Sequence, residues 1–292
     1  MNLDQTEYVI IKRFFWSIMK RLIVIFFSVI LCCTMIGCKK QDPVDENGEI
    51  TSEPSKEPKC AKSMIHTEKL TEVLSSEDGN QKIMLGDFSY PQIENKDHFE
   101  SVDKINADIK QRVEAEFKDS YNEGSMYAKE VYAQNSDTGM QTRLFPFVTE
   151  QRFEITYNDY FLVSYKVIGY TDFGGAHPNT YQKSYTYDIL TGELLPITYF
   201  YTDSEEEAKQ LIAQTFYTLF TEEPELFYPN AGDILTQGNF TYGFYITKDG
   251  LSFYINEYDI APHAAGIQEV SILFDPKVED FRNLDRLGIE IK

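Results

Sequence analysis

Residues 153–170 read FEITYNDYFLVSYKVIGY, and this stretch predicts a β-hairpin. Apolar and polar side chains alternate on both sides of Asn158-Asp159, with Phe153, Ile155 and Tyr157 on one predicted face. The Asn-Asp dipeptide is typical of a tight turn. After a short break the alternation resumes in TYQKSYTYDI, which places aromatic residues on one face and polar residues on the other. We therefore expect antiparallel strands joined by short turns.

Two amphipathic helices are predicted outside this strand region. The first, at residues 97–120, opens with a capping-box pattern from Asp97, and its apolar residues recur every three or four positions. The second is expected at about residues 203–221, with Thr202 as its cap. A further hairpin with the turn KDG, the strand IQEVSILF and a short C-terminal helix complete the pattern.

The order of these elements predicts the fold class. Strands and helices alternate in blocks, which indicates an α+β fold with mostly antiparallel sheets and helices packed on one side. We divide the folded part into two subdomains, residues 63–150 and residues 151–292. The segment TDFGGAH does not fit the pattern GxGxxG and opens no helix, so no dinucleotide-binding loop is indicated.

Residues 1–38 predict a lipoprotein signal peptide. The apolar run from Leu22 to Gly37 is shorter than a membrane span of ~20 residues, and it ends in MIGC at Cys38. This ending resembles the bacterial lipobox, which implies a lipid on the Cys38 thiol. Met19 followed by two basic residues would make an ordinary start, which marks residues 1–18 as a candidate upstream extension. An uncleaved signal anchor is the alternative.

Residues 39–62 are rich in charge and proline and predict a flexible tether between lipid and folded part. Removal of residues 1–37 would take away four basic and two acidic side chains, so the net charge would change from −20 to −22. This acidity argues against nucleic acid as a partner, because no basic cluster neutralises phosphates. We expect a location in the cell envelope, on the periplasmic side of a bacterial membrane or at the cell surface.

The segment TDFGGAHPNT, residues 171–180, is the first candidate for chemistry. Gly174 and Gly175 permit positive φ, and Pro178 favours extended backbone at His177, so the segment suits a sharp reversal between strands. A catalytic histidine needs a nucleophile or metal and an orienting carboxylate. The sequence shows no GxSxG motif, no reactive-cysteine context and no metal-binding histidine spacing. We therefore expect no catalytic residue, no metal and no cofactor.

Two longer segments resemble the RsiV/PdaC-like extracytoplasmic family. Residues 169–201 are similar to its GGAHP…YxxDxxTGxxL segment, and residues 244–272 are similar to its closing segment with a YxIAPYAxG loop. The stretches FSYPQI and INADI in the first half resemble the domain that precedes these segments in the family. The resemblance implies a non-enzymatic α+β module outside the cytoplasm, with residues 63–150 PdaC-like and residues 151–292 RsiV-like.

The resemblance also implies a ligand, because the RsiV-type module binds lysozyme by inserting loops at its catalytic cleft. An acidic chain would suit such a cationic protein. His263 stands where the family usually has tyrosine. The predicted function is therefore a lipid-anchored envelope protein that binds lysozyme or cell-wall peptidoglycan. The candidate binding residues lie in two loops: Gly174, Gly175, His177, Pro178, Tyr258, Pro262 and His263.

Two other functions stay open at the level of the sequence. A structural or assembly lipoprotein of the envelope would need no such ligand, and an exposed aromatic cleft beside the two loops would argue against it. A cell-wall-acting hydrolase would require His177 and His263 to face each other across a pocket that also holds a carboxylate.

Overall fold

The computed structural model describes residues 62–94, 99–138, 145–275, 277 and 280–289. The predicted signal peptide at residues 1–38, with its lipidation site Cys38, lies outside the described residues. The same is true of the predicted tether, apart from Lys62, and of the predicted capping residue Asp97. Within the described ranges, no helix is both long enough and apolar enough to cross a membrane.

Five strands form the first sheet, and their spatial order is their order in the chain. All neighbours pair antiparallel except β2 and β3, which are parallel because helix α1 crosses over the sheet between them. The predicted α+β fold with mostly antiparallel sheets is confirmed. The elements are β1 (Ile65–Ser75), β2 (Lys82–Ile93), α1 (Glu100–Thr138), β3 (Phe147–Asp159), β4 (Leu162–Asp172) and β5 (Asn179–Asp188).

Helix α1 packs an apolar stripe against one face of this sheet, as its spacing predicts. The ring of Phe117 meets that of Phe88 edge to face, with ring centroids 5.2 Å apart. The helix continues to Thr138, beyond the predicted end, and Gly124 lets Met84 and Phe173 lie against its backbone. The buried residues of this first core are Phe88, Tyr90, Ile93, Val102, Ile105, Ile109, Val113, Phe117, Val163, Tyr165, Val167, Tyr187 and Ile189.

The hairpin between β3 and β4 turns later than predicted. Asn158 and Asp159 still belong to β3, where Asp159 pairs with Leu162. The turn is made by Tyr160 and Phe161, whose φ angles are 47° and 62°. Two successive residues with positive φ match a type I′ turn, whose twist fits that of the flanking strands. The geometry of this hairpin therefore places the turn at Tyr160 and Phe161, although the Asn-Asp dipeptide before them is the more usual turn sequence.

A β-bulge in β3 changes which core its side chains reach. The register of pairing with β4 shifts between Ile155 and Tyr157, which inserts one extra residue in β3. Ile155 packs against the first core, whereas Tyr157 lies in a second core, where its hydroxyl donates to the Leu287 carbonyl at 3.3 Å. The prediction that Phe153, Ile155 and Tyr157 share one face is therefore wrong for Tyr157.

The second core lies between helices and a smaller antiparallel sheet of strand order β6-β7-β8. The predicted C-terminal helix is a single 3-10 turn, Leu284–Leu287, whose two leucines are buried. The other elements are α2 (Glu205–Glu222), α3 (Ala231–Thr236), β6 (Gly243–Ile246), β7 (Gly250–Ile255) and β8 (Gln268–Leu273).

An ion pair fastens this last turn to the first sheet. The guanidinium of Arg286 donates to the Asp188 carboxylate at 2.9 Å, and Asp188 is only 3% exposed. The other oxygen of this carboxylate accepts from the backbone N–H of Leu190 at 2.8 Å. A second N–H of Arg286 donates to the Tyr199 hydroxyl at 3.1 Å. The closing turn is thus held by a hydrogen-bonded charge pair as well as by apolar packing.

Helix α2 begins at Glu205, and its N-terminal cap lies two residues after the predicted cap, Thr202. Its N-cap is Ser204, whose side chain accepts from the backbone N–H of Glu207. Thr202 instead has a positive φ of 47°, and its hydroxyl donates to the Glu207 carboxylate. The three glutamates of the first turn suit the positive end of the helix dipole.

The two sheets are joined by polar groups on strands β4 and β5. Ser164 is fully buried, shares a hydrogen bond with Thr186 at 2.8 Å and accepts from the backbone N–H of Ile246 in β6 at 3.1 Å. Gln182 and Asn256 exchange two further hydrogen bonds. The predicted boundary between residues 150 and 151 falls inside β3, which pairs with strands on both sides. The change from one sheet to the other therefore comes after β5.

We expect the Ser164→Ala variant to lower the free energy of unfolding by about 1–3 kcal/mol. The substitution leaves the buried N–H of Ile246 without its acceptor, and desolvation of such a group is not compensated. Chemical denaturation monitored by circular dichroism measures the change. Ser75→Ala, at the exposed end of β1, is the control and should stay within about 0.5 kcal/mol of wild type. Equal effects of the two substitutions would contradict this account of the junction between the sheets.

Candidate functional site

The β4–β5 loop, residues 173–178, is anchored at its start and exposed at its tip. Phe173 packs beside Tyr127 of α1 with ring centroids 6.3 Å apart. Gly174 has a φ of 81°, and its N–H donates to the Asp172 carboxylate at 3.1 Å. Gly175 and His177 are exposed. The loop therefore makes the sharp reversal predicted from its glycines and presents His177 at the surface.

The β7–β8 loop, residues 256–267, is folded over buried residues. Ile260 and Ala261 are fully buried, and the Tyr258 N–H donates to the Ala261 carbonyl at 2.9 Å, with Tyr258 at a φ of 73°. A 3-10 turn begins at His263 directly after Pro262. Farther along, the Gln268 amide donates to the carbonyls of Ala265 and Gly266. These bonds fix the backbone that carries Tyr258, Pro262 and His263.

The tips of the two loops meet through their aromatic side chains. The rings of His177 and His263 are stacked with centroids 4.1 Å apart and planes 9° from parallel. The Tyr258 hydroxyl lies 3.2 Å from Nε2 of His177, and its ring is nearly parallel to both imidazoles. Nδ1 of His177 lies 3.0 Å from the carbonyl oxygen of Pro178. The structure thus brings His177, Tyr258 and His263 together at one edge, while the role in binding of all the predicted loop residues stays a prediction.

A buried carboxylate supports this edge from below. Glu257 has a side chain only 6% exposed, and its carboxylate lies 2.7 Å from Nδ1 of His263. Partial loss of contact with water, and after it the charge of Glu257, raise the pKa of Tyr258 above its ordinary value. Sequence reasoning missed Glu257 because it is one of 47 acidic residues and no motif sets it apart. What distinguishes Glu257 is the burial of its side chain, and burial cannot be read from the sequence alone.

The geometry limits what this cluster can do chemically. The two imidazole rings are in direct contact, so no substrate fits between them, in contrast to the arrangement that a hydrolase would require. In the ranges that the structure describes, no group of three or more His, Cys, Asp or Glu side chains is placed to hold a metal ion. The cluster does offer an exposed tyrosine, 47% accessible, and two imidazoles that can stack and hydrogen-bond.

Two regions of the chain match family models. Residues 77–180 match the family described as Deacetylase PdaC, and residues 200–275 match the family described as Protein of unknown function (DUF3298). The first match crosses residue 150, in agreement with the continuous sheet. The two matches in this order confirm the predicted resemblance to the RsiV/PdaC-like architecture.

Solved structures of DUF3298 proteins are similar to this chain. A member of the DUF3298 family from Bacteroides fragilis has 19% sequence identity and a TM-score of 0.58, over 77% of this chain and 96% of that chain. A DUF3298 family protein from Pseudomonas aeruginosa has 16% identity and a TM-score of 0.48, over the same shares. The Bacteroides fragilis structure supports the fold alone. No curated protein matches the chain.

We expect the His263→Ala variant to lower the free energy of unfolding by about 1–3 kcal/mol, because the nearly buried Glu257 carboxylate loses its hydrogen-bonding partner. His66→Ala is the matched control. His66 also contacts a carboxylate, Glu94 at 3.2 Å, but the two side chains are 59% and 35% exposed. Removal of that pair should change the free energy of unfolding by less than about 0.5 kcal/mol. Similar values for both variants, measured by denaturant unfolding, would count against a supporting role of Glu257.

Proposed function

We propose that this chain, in which a PdaC-type region precedes a DUF3298-type region, is a non-enzymatic binding protein of the bacterial cell envelope. In this proposal it is anchored by a lipid on Cys38 and binds a lysozyme-type protein with the edge formed by the β4–β5 and β7–β8 loops. The observation that carries the proposal is the stack of His177 on His263. It unites at one surface the two segments for which the sequence resemblance implied ligand binding.

The form of this edge supports recognition of a protein. Protein interfaces draw most of their binding energy from a few rigid aromatic or charged anchors. Tyr258 is such an anchor, since its ring is exposed while its backbone is fixed by the turn to Ala261. His177 and His263 flank it with nearly parallel rings. Because these groups are already ordered, less conformational entropy is lost on binding.

Charge supports a cationic partner. The net charge of −20 creates a negative potential that speeds the approach of a basic protein such as lysozyme. This long-range attraction does not choose between basic proteins. Specificity would have to come from the shape and hydrogen bonds of the two loops.

The non-enzymatic part of the proposal rests on the geometry of the histidines. General base catalysis requires that the base reach a proton of a bound substrate. His177 lies against His263 with a 4.1 Å centroid separation, and the nearby carboxylate of Glu257 is already engaged by His263. The two rings are in direct contact, so no scissile bond fits between them.

Surface plasmon resonance with immobilised lysozyme tests the binding proposal. We expect saturable binding, with an on-rate that falls between low and physiological salt because the Debye length shrinks to about 8 Å. Tyr258→Ala should raise the off-rate about tenfold or more, since truncation of a central anchor acts mainly on dissociation. Tyr217→Ala on helix α2, where the tyrosine is 41% exposed, is the control and should behave like wild type.

Two results would overturn the proposal. One is the absence of saturable binding at micromolar lysozyme. The other is binding that disappears in salt and is the same for wild type and Tyr258→Ala, which would reduce it to unspecific charge attraction. A parallel measurement with purified peptidoglycan separates the two candidate ligands. Saturable binding to peptidoglycan without binding to lysozyme would mean that the ligand of this protein is a glycan.

Lipidation is tested on the same chain by replacing single cysteines. Cys38→Ala should abolish labelling with a palmitate analogue and release the protein from the membrane fraction, because the acylated thiol is gone. Cys60→Ala removes another cysteine outside the predicted signal peptide and should keep both the label and the membrane location. If the Cys38→Ala protein labels and fractionates like wild type, the anchor is not at this residue.

A further inference from the structure

A groove of about 530 Å³ runs between helix α2 and the end of helix α3. Its volume lies in the usual range of small-molecule sites, about 300–1,000 Å³. One wall is a stripe of α2 whose members, including Gln210, Gln214 and Tyr217, follow each other at helical spacing. The other wall is the last turn of α3 with Gln237 and Gly238. The β4–β5 and β7–β8 loops contribute no residue to this groove.

Tyr217 presents an aromatic ring at the rim of the groove. The side chain is 41% exposed, yet its position is fixed by its neighbours. A Cβ atom on Gly232 would lie 3.3 Å from Cε2 of Tyr217, so the ring rests against the backbone of α3 at the point where a side chain is absent. The Phe220 ring supports it, with centroids 5.9 Å apart. A ring that is held in place and open to water suits packing against the apolar C–H face of a sugar.

Side-chain amides line the groove beside this ring. Gln214 is exposed and makes no side-chain hydrogen bond within the described part of the chain. Gln237 accepts from Asn239 at 3.0 Å through its carbonyl oxygen, which leaves its amide N–H groups for other acceptors. Gln210 uses one amide N–H to contact Glu206 at 3.4 Å and keeps its carbonyl oxygen. Amides of this kind both donate and accept, as sugar hydroxyls do.

The charges at the groove are balanced, although the whole chain is strongly acidic. Glu206 and Lys209 are the two charged residues of its lining, and they carry opposite signs. The Lys209 ammonium also lies over the Phe240 ring, 5.1 Å from its centroid. An anionic ligand would be repelled by the net charge of −20, and a cation finds no surplus of negative charge in the groove itself. The lining therefore favours an uncharged ligand.

We infer that this groove is a binding site for a short uncharged oligosaccharide. The sugar packs one face on Tyr217, and its hydroxyl groups exchange hydrogen bonds with Gln210, Gln214 and Gln237. This site is separate from the β4–β5 and β7–β8 loops, which carry His177 and His263, and it does not depend on binding of lysozyme. Through this groove an envelope protein would bind glycan, while the edge formed by the β4–β5 and β7–β8 loops stays free for another ligand.

Isothermal titration of the purified full chain with chitotetraose and with maltotetraose tests this site. We expect saturable binding of at least one of these uncharged sugars. Tyr217→Ala should weaken it about tenfold or more, because the stacking surface is lost. Tyr217→Phe keeps the ring and should stay within about threefold of wild type. The thermal unfolding midpoint of each variant shows whether the fold is intact. Gln214→Ala, at an exposed position, is a second variant, for which we expect a smaller loss of sugar affinity than for Tyr217→Ala.

Tyr258→Ala separates this inference from the proposed function. It alters a tyrosine of similar exposure in the β7–β8 loop and should leave the sugar affinity unchanged. The inference is wrong if neither sugar binds saturably, or if Tyr217→Ala and Gln214→Ala both bind like wild type. It is also wrong if Tyr258→Ala abolishes sugar binding, which would move the glycan to the histidine loops. Loss of lysozyme binding alone says nothing against the groove.

Discussion

Strands β4 and β5 are covered on both faces, and the rest of the structure depends on this double burial. One set of alternating side chains, which includes Tyr165 and Tyr187, fills the core beneath α1. The opposite set faces the second sheet, where Ser164, itself hydrogen-bonded to Thr186, accepts from the backbone N–H of Ile246. Because a strand alternates its faces with a period of two, one hairpin can serve two cores at once. This arrangement also sets the ends of both sheets side by side.

Local patterns were sufficient for most elements of the fold. The apolar stripe of α1, the alternation in β4 and β5, and the second hairpin all appear in short windows of sequence. The failures are at places where tertiary contacts decide. The bulge before Tyr157 turns this side chain into the second core, on the other side of the sheet. The second half of α1 is helical although it lacks a long apolar stripe. Near Gly124 it relies on close backbone approach instead.

The candidate site shows the same division between local and distant information. Motifs in the sequence drew attention to His177 and His263, and the structure brings their rings into contact. The contact itself joins loops of two different sheets that are far apart in the chain, so no short stretch of sequence can predict it. Glu257 is the clearest omission, because only its burial distinguishes it from the other acidic residues of the chain. The groove at Tyr217 was also out of reach, since it is formed by residues that look like an ordinary solvated helix face.

The closing turn at Leu284–Leu287 has a consequence for the order in which the protein folds. Its leucines complete the second core, and Arg286 pairs with Asp188, which lies 98 residues earlier in the chain. Whether the polypeptide emerges from a ribosome or from a translocation pore, β5 appears long before the residues that secure it. The residues of the first sheet and α1 are all present before the residues of that turn emerge. The second core can close only after the turn Leu284–Leu287 has emerged, so this core is completed later than the first.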